Sequence, residues 1–260
     1  MRSLGFRTDL LALSGLAEVE RHPDHVVIRT PQEPDYWSGN GLILLGPPGD
    51  PEEETALFHR RFPTAEHVSI AWDVPDLDPD EVRPLWEPRG FAVEVSDVLA
   101  RTGVPPASDL PPDAELRELR RDADWDDVLA LGLELAAEDG LDLARHEPFL
   151  RRRLSGQRAQ AGRGLARWWG AFAGGRLAAS LGVVQGEGLA RYQTVQTAPA
   201  QRRRGLASAL IRRAAEAALK RDPEARLVLV AETGGAPGRL YRRAGFDLAE
   251  RTVAVLRRGY

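Results

Sequence analysis

Cysteine is absent from the 260 residues. That excludes disulfides, a thiolate nucleophile and a cysteine acyl-enzyme. Lysine occurs once, at Lys220, so arginine carries nearly all the positive charge. The net charge of −4 leaves no global basic field to recruit nucleic acid. No apolar run approaches the roughly 20 residues of a membrane span. The opening residues, Met1-Arg2-Ser3-Leu4 leading to Asp9, form no apolar signal core. A cytoplasmic protein with no membrane partner is expected. Histidine is sparse, and only His22 and His25 are close together, with Pro23 and Asp24 between them. No metal site is expected from them. What remains is 43% hydrophobic and 28% charged, an ordinary globular composition, with length for two modest domains.

A proline-rich stretch divides the chain. Residues 104–112 hold Pro105, Pro106, Pro111 and Pro112 with few apolar side chains, which suits a stiff linker. The expected domains are 1–103 and 113–260. In the first, a helix is read near 10–21, strands at 25–30, 41–45, 67–73 and 91–102, and helices at 52–62 and 79–89. In the second, the expected order is a strand (114–120), a helix capped by Asp124 (125–137), a helix (147–160) and two strands (167–172, 177–184). A strand, turn and helix (192–218), a strand (226–232), a short helix (237–244) and a final strand pair (246–257) follow. Alternating strands and helices argue an α/β chain with a mixed sheet. Gly174-Gly175 signals a hairpin. Residues 44–49 (LLGPPG) resemble the opening of a nucleotide-binding P-loop, but Asp50-Pro51-Glu52-Glu53-Glu54 follows where Gly-Lys-Ser/Thr is needed. ATP and GTP are not expected ligands.

Residues 192–218 read YQTVQTAPAQRRRGLASALIRRAAEAA. β-Branched Thr194, Val195 and Thr197 suit a strand. Leu206, Leu210, Ala214 and Ala217 then recur at helical spacing from about Arg204 onward. The first turn of a helix exposes unpaired N–H groups at the positive end of its dipole. An anion fits there. Gly205 and Ala207 have little side chain to block it, and Arg202, Arg203 and Arg204 add positive charge. The stretch reads as a pyrophosphate cradle.

Arg202-x-x-Gly205-x-Ala207 resembles the Q/R-x-x-G-x-G/A signature of the GNAT N-acetyltransferase superfamily, and the element order of the C-terminal half is that of the GNAT fold. The resemblance implies acetyl-CoA as co-substrate and no metal. It implies that Arg202, Arg203, Arg204, Gly205, Leu206 and Ala207 hold the pyrophosphate. It further implies that Val195, Gln196 and Thr197 pair with the pantetheine arm, with the Val195 N–H on the thioester oxygen. A second motif, Leu240-Tyr241-Arg242-Arg243-Ala244-Gly245-Phe246, resembles the family's L-Y-x-x-x-G-F. It makes Tyr241 the general acid for the departing thiolate. Many relatives place Asn ahead of that Tyr; Gly234 stands here.

The N-terminal half carries Leu85-Trp86-Glu87-Pro88-Arg89-Gly90-Phe91. One offset separates Trp86 from Tyr241, Gly90 from Gly245 and Phe91 from Phe246. Residues 1–103 therefore read as a shortened, degenerate GNAT-like unit. Its phosphate loop is acidic, and its general-acid position is Trp86, which has no phenol. The expected reaction is acetyl transfer from acetyl-CoA to a primary amine of a small molecule, by direct attack on the thioester. A non-catalytic acyl-CoA sensor or scaffold, or an acetyltransferase of protein N-termini or lysines, are the alternatives. The general base is open. The position that bears Glu in several relatives is Arg191, while Glu232, Glu138 and Asp139 are candidates, as is water. Trp125, Trp168 and Trp169 could line the acceptor pocket or the core, and the Glu138-Asp139 turn could attract a cationic amine. Oligomeric state is not legible.

Overall fold

The computed structural model describes residues 1–258. In chain order the elements are α1 (Leu4–Ala12), β1 (Glu18–Arg21), β2 (His25–Arg29), β3 (Gly41–Leu44), α2 (Pro51–Arg61), β4 (Val68–Trp72), α3 (Pro79–Trp86) and β5 (Ala92–Arg101). After the proline-rich stretch come β6 (Ala114–Glu118), α4 (Asp122–Glu138), α5 (Leu143–Gly162), β7 (Ala166–Ala173), β8 (Arg176–Gly186) and β9 (Leu189–Thr197). The chain closes with α6 (Leu206–Arg221), β10 (Arg226–Glu232), α7 (Ala236–Arg243) and β11 (Asp247–Arg257). The class is α/β with mixed sheets, as expected.

Two compact units are present, and they are not consecutive in sequence. Among the described residues the first comprises Met1–Leu99, Val230–Arg239 and 248–258; the second comprises Ala100–Leu229 and Leu240–Asp247. The end of the chain belongs to the first unit because β11 pairs antiparallel with β4, Ala254 opposite Ala71.

Within the first unit the strand order is β1-β2-β3-β4-β11-β5. The pairs β1/β2 and β2/β3 are antiparallel, and β3/β4 is parallel. Side chains alternate across a strand, and here both faces are covered. Val27, Leu42, Leu44, Ile70, Trp72 and Val255 join Phe58, Trp86 and Phe91 in one core cluster. Val26, Ile28, Ile43 and Ala71 join Phe6 and Leu13 in the other. That two-sided burial explains why these strands read as continuous apolar runs.

Three local expectations for this unit and its strands change. The first helix starts at Leu4, because the Ser3 hydroxyl accepts from the Phe6 N–H at 3.3 Å. Residues 18–21 form a strand opposite β2 instead of the end of that helix. Residues 247–257 form one strand, not a pair; no turn residue interrupts DLAERTVAVLR.

The second unit has strand order β10-β9-β8-β7-β6. Hairpins join β7 to β8 through Gly174-Gly175 and β8 to β9 through Glu187-Gly188, all four residues at positive φ. Trp168 is fully buried with its ring 5.6 Å from that of Trp125, and Trp169 is buried too. All three tryptophans belong to the core. α4 begins at Asp122, with Arg121 as cap. Asp124 lies inside the first turn, where its carboxylate accepts from the Arg120 and Arg121 N–H groups at 2.8 and 2.9 Å. Arg117 reaches the same carboxylate with both terminal nitrogens, at 3.0 and 2.7 Å. These bonds, from Arg117 first, hold the Asp124 carboxyl well below the usual carboxylate range.

Candidate active site

The site is built on β9. Antiparallel pairing with β8 is regular from Gly186↔Leu189 to Gly182↔Gln193, then resumes at Ser180↔Gln196. β9 thus spends one more residue than β8 on that step, which is a β-bulge. Thr194 sits in it at φ 51°, a left-handed conformation rare for a β-branched residue. Buried Gln157 of α5 donates to the Thr194 hydroxyl at 3.3 Å. On the other edge of β9, the parallel register with β10 ends at Arg191↔Val228. Val195, Gln196 and Thr197 therefore lie beyond the β10 ladder, next to the bulge. No residue motif announces a bulge, so the sequence expectation of a plain strand missed it.

Beyond β9 the chain turns through 198–205 and enters α6. Gly205 is the cap residue of α6, at φ 79°, and no side chain caps the helix. The N-terminal turn of α6 thus has no side-chain cap on its N–H groups. Leu206 is buried and Ala207 is half-buried. Helix onset lies two residues later than the spacing suggested, because the Arg203 backbone is left-handed (φ 61°). The three arginines diverge. Arg202 forms a two-pronged ion pair with Glu138, one bond at 2.8 Å. Arg204 binds Asp113 at 2.6 Å and also Gln201, and it holds the Asp113 carboxyl below its ordinary range. Arg203 is exposed and has no partner among the described residues.

The proline-rich stretch packs on this cradle. Arg101 donates to the carbonyls of Gly103, Val104 and Gly245, at 3.0, 2.8 and 2.8 Å. Arg212 of α6 donates to the Pro105 carbonyl at 2.7 Å. A Cβ at Gly205 would lie 2.8 Å from the Asp109 carbonyl oxygen. Glycine is needed at 205 to admit this backbone as well as to turn the chain.

Tyr241, at the end of α7, is buried, and burial pushes its hydroxyl up to about 12 while Arg191 pulls the other way. The phenol keeps its proton at neutral pH, and its hydroxyl has no hydrogen-bond partner among the described residues. Tyr192 is a different kind of tyrosine. Its hydroxyl donates to the Ile211 carbonyl at 2.9 Å, tying α6 to β9. Its ring meets Phe246 edge-on, and burial raises its hydroxyl further still.

A pocket of about 190 Å³ lies between α4, α5 and the bulge. Val128, Leu129, Gly132, Phe149, Leu150 and Leu154 wall it, with Arg153, Gln157, Thr194 and Gln196. Glu138 and Asp139 do not line it. Glu138 is engaged by Arg202, and Asp139 is the exposed cap of α4. Glu232 is exposed and belongs to the first unit. Among the described residues no carboxylate lines this pocket, so the turn expected to attract a cationic amine is not part of it.

The first unit contains the counterpart loop in another state. Asp50 caps α2, accepting from the Glu52 and Glu53 N–H groups at 2.8 and 3.1 Å. Glu54 accepts from the Gly49 N–H at 2.6 Å and from the Trp72 indole at 3.3 Å. Desolvation raises the Glu54 carboxyl. Gly90 and Gly245 share φ 79°, and Phe91, Phe246, Trp86 and Tyr241 are all buried. Among the described residues no group of three metal-ligating side chains converges, and no helix is long and apolar enough to cross a membrane.

Residues 164–248 match the family model of the acetyltransferase (GNAT) domain. Among solved structures, the chain is similar to a GCN5-related N-acetyltransferase from Kribbella flavida (TM-score 0.65, 14% identity, covering 100% of this chain and 98% of that one). It is similar to a GCN5-related N-acetyltransferase from Sphaerobacter thermophilus (TM-score 0.63, 20% identity, 98% and 86%). It also resembles a tandem GNAT protein from the clavulanic acid biosynthesis pathway (TM-score 0.54, 16% identity, 93% and 83%). No curated protein matches. Residues 164–248 thus resemble a GNAT acetyltransferase domain, and domains of that family take acetyl-CoA as co-substrate.

Proposed function

We propose that this chain, with its one GNAT domain, transfers an acetyl group from acetyl-CoA to the primary amine of a small molecule. The observation that carries the reading is the contrast between two helix starts. α2 is capped by its own carboxylates, whereas α6 starts at a glycine with no side-chain cap. An anion is attracted to the second and repelled by the first.

In this reading Arg202, Arg203 and Arg204, with the N–H groups of Gly205, Leu206 and Ala207, hold the pyrophosphate. Arg202 and Arg204 exchange Glu138 and Asp113 for it. Gln196 and Thr197 present free strand edge to the pantetheine arm. When bound, acetyl-CoA supplies an activated acyl carbon and a thiol leaving group. The Val195 N–H, aimed by the bulge, stabilises the negative charge that grows on the carbonyl oxygen. The amine nitrogen bonds to the carbonyl carbon as the carbon–sulfur bond breaks. Tyr241 gives its proton to the sulfur and recovers one from solvent. The excess proton of the amine leaves to water, since no carboxylate lines the pocket. That same lack makes acyl-CoA binding without turnover the competing reading.

Titration of the purified chain with acetyl-CoA tests this. One site per chain is expected, lost in the double variant Arg204→Glu/Gly205→Asp. Unchanged affinity in that variant would sink the cradle. Amine-dependent release of CoA thiol would reject the non-catalytic reading.

A further inference from the structure

We infer that the acceptor amine carries a six-membered aromatic ring and no second cationic group. This rests on the transferase reading above and deepens it. The pocket between α4, α5 and β9 meets the bulge through Thr194 and Gln196, the residues on either side of Val195. Whatever fills it lies next to the position where the thioester carbonyl is read to sit.

Size comes first. An apolar cavity of about 150 Å³ accepts benzene. The roughly 190 Å³ here admits a ring with a short arm. An extended polyamine or a folded peptide segment would leave most of its atoms outside.

The walls decide the chemistry. Six of the ten lining residues are apolar or glycine, and Phe149 offers a ring for edge-on contact. The single charged side chain of the lining is Arg153, and no carboxylate is present to receive a second ammonium. Apolar walls favour the neutral form of an amine, the form that attacks. Gln157 is committed to Thr194. Gln196 is not: its side-chain oxygen is buried and has no hydrogen-bond partner. A buried acceptor left unpaired costs free energy, and an amine N–H donated to it would satisfy it. The ring then lies against Leu150, Leu154 and Phe149, with the nitrogen at Gln196 beside Val195.

Gly132 sets the floor. It lies on α4 with its missing side chain directed at Leu150, whose nearest carbon would be 3.5 Å from a Cβ. Gly132→Leu therefore puts four carbons into the pocket against Leu150, and the better helix propensity of leucine offsets part of the crowding.

The experiment uses the full chain at pH 9. Thiol release from acetyl-CoA is followed with 2-phenylethylamine, methylamine and spermidine. Binding of acetyl-CoA and of 2-phenylethylamine is measured separately by calorimetry. The expected kcat/KM for 2-phenylethylamine is at least tenfold above the other two, the scale on which an apolar pocket discriminates. Gly132→Leu should lower it at least tenfold and leave the acetyl-CoA Kd within twofold. Preference for spermidine, or an unchanged kcat/KM in Gly132→Leu, would overturn the inference. Failure of acetyl-CoA to bind would remove the transferase reading instead. The pocket would then be judged on calorimetry alone, where 2-phenylethylamine binding lost in Gly132→Leu supports it and no binding to the wild type refutes it.

Discussion

Replacing Gly205 with alanine separates the two demands on that position. Gly205 is left-handed at φ 79°, which for an alanine costs about 1–2 kcal/mol. Its new Cβ would also stand 2.8 Å from the Asp109 carbonyl oxygen, a backbone atom that cannot rotate away. Forcing such a contact apart adds about 1–3 kcal/mol. Gly140 provides the control, since it is left-handed at φ 72° with nothing within 4 Å of its Cβ. At 2–4 °C per kcal/mol for a chain near this size, Gly140→Ala should lower Tm by roughly 2–8 °C and Gly205→Ala by roughly 4–20 °C. Scanning calorimetry of both variants reads the difference. Because the proline-rich stretch lies as a strap against the first turn of α6 at Asp109, Gly205→Ala should also weaken acetyl-CoA at least tenfold, while Gly140→Ala leaves it unchanged. Equal Tm losses and equal acetyl-CoA affinities in the two variants would refute both the tight strap contact and the cradle.

Tyr241→Phe should lower kcat by about 10² or more, the scale of a lost general acid, with acetyl-CoA affinity within a few-fold. An unchanged kcat would remove Tyr241 from the chemistry. Because burial pushes its hydroxyl up to about 12, the protonated, active form persists across the assay range. The wild-type pH–rate profile should then rise toward the acceptor's own pKa with no falling limb below about pH 11; a falling limb near 8–9 that vanishes in Tyr241→Phe would contradict the assignment. Asp124→Asn removes a fully buried carboxylate from Arg117 and two N–H groups, at a cost of about 2–3 kcal/mol. The carboxyl is held well below the usual range. Its stabilisation is therefore present above the unfolded pKa of about 3.9 and is lost as pH falls toward the lower folded value. Urea titrations should show a wild-type advantage at pH 7 that shrinks below about pH 4, and an equal gap at pH 3 and pH 7 would refute the linkage.

Much of this architecture was legible because it is local. The strand–turn–helix of 192–218 declares itself by β-branched residues, a glycine and helical spacing, and the structure differs from that reading by two residues at the helix start. Gly174-Gly175 specifies a hairpin through its dihedral freedom alone. The illegible parts depend on how elements pack on one another. Asp124 looks like a helix cap in sequence, yet its burial depends on Arg117 arriving from β6. The lack of a turn residue in DLAERTVAVLR fits one strand, but only its pairing with β4 assigns β11 to the first unit. The bulge at Thr194 and the pocket beside it require α4 and α5 to be placed on β9, and Gln157 meets Thr194 across 37 residues. Tryptophans drew attention as pocket linings by size, whereas size is what sends them to the core. The pocket is lined instead by leucines, Phe149 and two glutamines, residues without a motif.

The two halves carry the same run of strand, helix, parallel strand, short helix and strand, yet their helix starts have opposite electrostatics. In the first, Asp50 and Glu54 already satisfy the loop amides from within the chain. Glu54 is largely buried and indole-bound, so a phosphate approaching there would meet an occupied donor set and a like charge. Neutralising it does not restore the site, because Asp50 would still cap α2. In the second, the glycine at the helix start leaves the amides open, and the carboxylates Glu138 and Asp113 sit on the arginines rather than on the backbone. An exposed ion pair of that kind is weak because water and salt screen it, so a doubly charged pyrophosphate can displace it. The asymmetry follows from where the acidic side chains attach: to the helix start in one repeat, and to its cationic rim in the other. In the proposed reading it is this difference, not the shared fold, that leaves the chain one acyl-CoA site.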